Sequence, residues 1–123
     1  MINNPNSKQF LFFRVNEVYL KLKKHNCMDK LKKFGLMEKI VHELEDLKNS
    51  QQAIITKLAK IEVDNIELGD KRLEKDLPDM HQRVADNLDN IASILEDFAK
   101  QTDTFSDKNN IQALKEQDAI NKL

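Results

Sequence analysis

Apolar residues recur through the middle of this chain at alternating steps of three and four. Assigning Met37, Leu44, Gln51, Leu58 and Asn65 to heptad position a puts Ile40, Leu47, Ile54, Ile61 and Leu68 at position d. That spacing predicts an α-helix from Leu36 to about Leu68, roughly 50 Å long at 1.5 Å per residue. A second, less regular ridge, Val41, Ile55, Ala59, Val63 and Ile66, flanks the first. A helix apolar on more than one side is packed by more than one neighbour.

Shorter patterns lie on either side. Ser7 reads as an N-cap for a helix over 8–24, whose ridge is Leu11, Val15, Val18 and Leu22, with lysines at 21, 23 and 24 complementing the C-terminal dipole. His25 and Asn26 suggest a turn. A short piece over 27–34 follows, and Gly35 either ends it or is tolerated in a longer helix. Gly69-Asp70 opens a connection running to about 77, with some helical character expected through Leu73. Asp76 then reads as the N-cap of a helix carrying Leu77, Met80, Val84, Leu88, Ile91, Leu95 and Phe98 to about 100, with Pro78 in its first turn. Ser106 reads as the cap of a weak last helix with Ile111, Leu114 and Ile120. Residues 1–6 and about 101–123 are expected to be flexible. The fold expected is all-α: one domain over 1–123, an antiparallel bundle of three to four helices around the long heptad-patterned helix.

Two amides interrupt the heptad. A polar residue at a costs stability but fixes register and strand number. A helix folding back after Phe34 covers one end of the long helix, and one returning through a 69–77 connection covers mainly the other. The expectation is therefore a homo-oligomer, dimer or trimer, through a seam of Ile40, Leu44, Leu47, Gln51, Ile54, Leu58, Ile61, Asn65 and Leu68. Replacing Gln51 and Asn65 together by leucine should then raise stability.

Composition turns the reading away from catalysis. Two glycines and 33% charged residues in 123 describe a helical chain with few of the glycine-punctuated loops that carry reactive groups. "HELED" at 42–46 lacks the second histidine of a zinc-protease motif, and Glu38, His42 and Glu45 fall on the solvent side of the heptad. His25 and Cys27 have no second ligand pair. "DNIELGDK" at 64–71 places Ile66 and Leu68 where a calcium loop needs oxygens. No catalytic residue, cofactor, metal or small-molecule substrate is expected. The lone cysteine precludes an intramolecular disulfide, and the first residues carry no signal-peptide pattern. The expected location is cytoplasmic, or outside after export without a cleaved leader.

Charge is segregated within a net of −1. Residues 1–33 hold eight basic and two acidic side chains, whereas 62–107 hold five basic and thirteen acidic. The function expected is non-enzymatic binding: a module that docks on another protein, a bacterial enzyme or secreted effector, and regulates it by inhibition. The expected contacts are Lys30, Lys32 and Lys33 on one side and Asp76, Asp79 and Arg83 on the other. An adaptor or secretion chaperone is the near alternative. From another class, the basic N-terminus suggests a nucleic-acid or membrane-surface binder, which the acidic neighbours and scarce arginine disfavour.

Overall fold

The computed structural model describes residues 14–18 and 29–123 of the 123 in the chain. Three helices follow Asp29: α1 (Lys30–Leu68), α2 (Lys71–Lys108) and α3 (Ile111–Asn121). The protein is all-α, and α1 and α2 pack along each other as an antiparallel hairpin.

α1 begins six residues before the expected start. The Asp29 side chain accepts the Leu31 N–H at 3.1 Å and its carbonyl accepts that of Lys33 at 2.9 Å, so the helix is capped there. The second half of the expected 27–34 piece and the long helix are one element. Gly35 lies inside it, at a cost of about 1 kcal/mol relative to alanine, too little to break a 39-residue helix.

The connection is much tighter than expected. Gly69 adopts φ 71°, in the left-handed region, and donates its N–H to the Asn65 carbonyl at 2.7 Å, ending α1. Asp70 caps α2 at once, its carboxylate accepting from Arg72 N at 3.0 Å and Leu73 N at 2.9 Å. Asp76 is therefore no cap. It lies exposed within α2 beside Arg72 (3.4 Å), and Pro78 sits in the helix interior rather than its first turn. Ser106 likewise lies inside α2, and α3 starts after Asn110, whose φ is 49°.

A 38-residue α2, about 57 Å long, returns along nearly all of α1. Near the turn His81 Nδ1 lies 3.0 Å from Glu62 Oε1, and at the open end Ala99 and Thr102 lie beside Glu38 and Val41. The expectation that the returning helix covers mainly the far end of the long helix is corrected by this return.

The inward-facing stripe on α1 is Phe34, Met37, Val41, Leu44, Gln51, Ile55, Leu58, Glu62 and Asn65, positions a and e rather than a and d, with Phe34, Met37, Leu58 and Asn65 fully buried. On α2 it is Leu77, His81, Val84, Leu88, Ile91, Leu95, Phe98, Thr102 and Phe105, an unbroken four–three alternation. His81, not Met80, holds the in-register place. α3 turns back at the open end and buries Ile111. There the ammonium of Lys115 stands 4.9 Å from the Phe34 ring, and that of Lys33 stands 5.2 Å from the Phe105 ring. Of the helix expected over 8–24, residues 14–18 are helical with Val15 and Val18 exposed. Its Ser7 cap, Leu11 and Leu22 lie outside the described residues, as do His25 and Cys27.

Candidate interaction surfaces

The turn is held from inside by Asn65. Its side-chain amide donates to the Asp70 carbonyl at 3.1 Å, and its side-chain oxygen accepts the Asp70 N–H at 3.0 Å. With its own carbonyl bound by Gly69, one buried asparagine fastens three backbone groups of the turn. The polar a position expected to set register across a seam is consumed within the chain. Gln51 has no such clasp and stays half-buried between α1 and α2.

Beside this turn, between the end of α1 and the start of α2, lies a groove of about 630 Å³. Ala59, Val63, Ile66, Leu73, Leu77 and Pro78 supply its apolar walls, and Glu62, Lys71 and Glu74 its polar lining. Val63 is 63% exposed and Ile66 82%. The sequence carried the signal: Ala59, Val63 and Ile66 belong to the second ridge, whose neighbour was not evident from the pattern. The surround is acidic, since residues 62–79 hold seven carboxylates against Lys71, Arg72 and Lys75.

The other surface is the d stripe. Ile40 is 38% exposed, Leu47 44%, Ile54 40%, Ile61 44% and Leu68 73%. A helix rotates 100° per residue, so with a and e facing α2, position d points sideways, away from the groove. The equivalent positions of α2 on this same side are Met80, Asn87, Ile94 and Gln101. Met80 and Ile94 are both well exposed.

The residues expected to contact a partner are not brought together. Lys30, Lys32 and Lys33 lie exposed at the open end. Asp76, Asp79 and Arg83 lie on the outer side of α2 near the turn, roughly 45 Å away along α1. Arg83 reaches Asp79 at 3.4 Å, one turn away, and shares α2 with Arg72. The nine residues of the expected oligomer seam divide. Leu44, Gln51, Leu58 and Asn65 face α2, and the five d residues remain outside.

Among the described residues, no three His, Cys, Asp or Glu side chains are placed to hold a metal ion. His42 lies exposed, 3.2 Å from Glu45. No helix among them is long and apolar enough to cross a membrane. At the surface the Lys100 ammonium holds the Glu96 carboxyl below the usual carboxylate range through their hydrogen bond and charge attraction. Asp118 raises Lys122 in the same way. These are one-turn pairs on single helices and build no site. Comparison with protein-family models, with curated proteins and with solved structures finds no match to this chain.

Proposed function

We propose that this chain is a non-enzymatic protein-binding module that regulates another protein by holding one of its segments in the turn-end groove. The single observation behind this reading is the coincidence of exposed aliphatic side chains, Val63 and Ile66, with a groove built on a clasped, rigid turn. The acidic surround fits a segment with an apolar stripe and basic residues flanking it. Held there, a segment that the partner needs for its own activity is withheld, which is how a module without reactive groups inhibits. An adaptor or secretion chaperone would use the same groove, differing only in what happens after release.

A fluorescence-anisotropy titration with amphipathic peptides tests this. Peptides with basic flanks should bind, their acidic-flanked counterparts should not, and Ile66→Glu should remove the binding. A groove that takes neither peptide at about 100 μM, or binds equally well after Ile66→Glu, overturns the reading. Capture from a lysate that depends on Ile66 would then name the partner, and that partner's activity with and without the chain separates inhibition from chaperoning.

A further inference from the structure

The d stripe lies on a different side of the hairpin from the proposed groove, and its pattern identifies its own cover. Around Ile54 it is symmetric: Leu47 and Ile61 stand seven residues to either side, Ile40 and Leu68 fourteen. Around Asn87 the equivalent positions of α2 are symmetric too, with Met80 and Ile94 seven residues to either side. The two centres lie side by side. Counting inward from His81 against Glu62, and from Thr102 beside Glu38, brings Ile54 level with Asn87 to within about two residues. One twofold axis can therefore serve both helices.

We infer that this face is the interface of a dimer of the chain, two hairpins packed face to face with their turns at opposite ends. Across the axis Ile54 meets Ile54 of the second copy, Leu47 meets its Ile61 and Ile40 meets its Leu68. On α2, Met80 meets Ile94 and the two Asn87 amides pair at the centre. This arrangement also accounts for the heptad. In a four-helix bundle positions a and d together point at the common centre, whereas the hairpin alone engages a and e.

Two further observations favour a second copy over other occupants. The face is about 42 Å long from Ile40 to Leu68 and two helices, roughly 20 Å, wide. That is on the order of 800 Å² per copy, the size of a stable interface. Charge selects the orientation. Turns at the same end would stack two copies of the acidic 62–79 stretch, whereas turns at opposite ends bring each toward the Lys30, Lys32 and Lys33 tip of the other copy.

Cross-linking of the full chain in solution tests the register. In a Cys27→Ser background, Ile54→Cys should link to itself with a short bismaleimide. Leu47→Cys should link only when mixed with Ile61→Cys. Light scattering should give twice the chain mass, and Leu47→Glu with Ile61→Glu should halve it with helicity unchanged by circular dichroism, because both side chains are exposed in the hairpin. A chain that stays monomeric up to about 100 μM overturns the inference, leaving the N-terminal stretch or a foreign helix as the cover. A dimer in which Ile54→Cys links only to Asn87→Cys overturns it equally, since that pattern places the turns at the same end. Neither outcome bears on Ile66 and the groove.

Discussion

At the scale of single residues, the two amides in the heptad have different occupations, and stability should separate them. Asn65 is buried and makes two hydrogen bonds to the backbone of Asp70. Asn65→Leu strands the Asp70 backbone N–H at the part-buried turn, where an unsatisfied group costs about 1–3 kcal/mol, while the Asp70 carbonyl keeps the Glu74 N–H at 3.0 Å. The substitution should lower stability by roughly 2 kcal/mol, the reverse of what a register device predicts for the same change. Gln51→Leu removes a half-buried amide with no hydrogen bond in the turn and adds apolar burial, so it should raise stability by up to about 1 kcal/mol. Urea denaturation of the two single variants checks both signs. Equal gains at the two positions would mean that the clasp contributes nothing. Gly69 belongs to the same device: its φ of 71° suits glycine, and Gly69→Ala should cost about 1 kcal/mol although a β-carbon there meets open space.

At the scale of helices, the long heptad and the all-α class were legible because a 3.6-residue period sustained over many turns has few other readings. The helix boundaries around the turn were not. Asp70 and Asp76 are both good caps, and Pro78, two residues after Asp76, made the later one look correct by the usual rule for proline. The choice was made instead by Asn65, whose clasp needs Asp70 in the turn and so starts α2 at Lys71. The same limit explains Met80 and His81. Apolarity favours Met80 for the core, but the phase set by Leu77 and Val84 brings His81 to Glu62, and the pair satisfies itself while half-exposed. The proposed groove was visible only as a ridge, since which helix would stand beside it is a tertiary fact. Pro78 remains an awkward residue for this element. It removes an N–H from the helix interior, and Pro78→Ala should stabilise the fold by about 1–3 kcal/mol. Pro78 also lines the groove, so the more stable variant should bind a basic amphipathic peptide more weakly. Thermal unfolding and anisotropy on one preparation test the pair. Unchanged stability would show that α2 relaxes around the proline without loss.

At the scale of the whole molecule, the hairpin sets Lys30, Lys32 and Lys33 at the open end and the acidic 62–79 stretch at the turn, while the rest of the acidic 62–107 span runs along α2 back to the open end. That bears on the nucleic-acid alternative. A duplex presents a charge every 1.7 Å or so, and tight non-specific binding needs several cations along one face. At the described part of the open end Lys30, Lys32, Lys33, Lys108 and Lys115 are interspersed with Asp29, Asp103, Asp107 and Glu116, and Lys33 and Lys115 already stand over the Phe105 and Phe34 rings. The acidic turn repels a duplex lying along the hairpin. In about 150 mM salt, where exposed charges are screened beyond about 8 Å, duplex DNA should bind no more tightly than about 100 μM. Reversing Lys30, Lys32 and Lys33 should then change nothing measurable. The opposite end should behave differently toward a basic protein segment. Asp76→Lys with Asp79→Lys should slow its association by about tenfold and leave its dissociation nearly unchanged, because exposed complementary charge acts on encounter more than on the bound state. Both carboxylates are exposed, and their pairing with Arg72 and Arg83 contributes little to stability, so the variant should fold normally. Stopped-flow association rates measured at two salt concentrations decide the matter. Sub-micromolar duplex binding whose logarithm falls by roughly 0.9 per phosphate contact against the logarithm of salt, and which the lysine reversals abolish, would replace protein binding by nucleic-acid binding as the role of this chain.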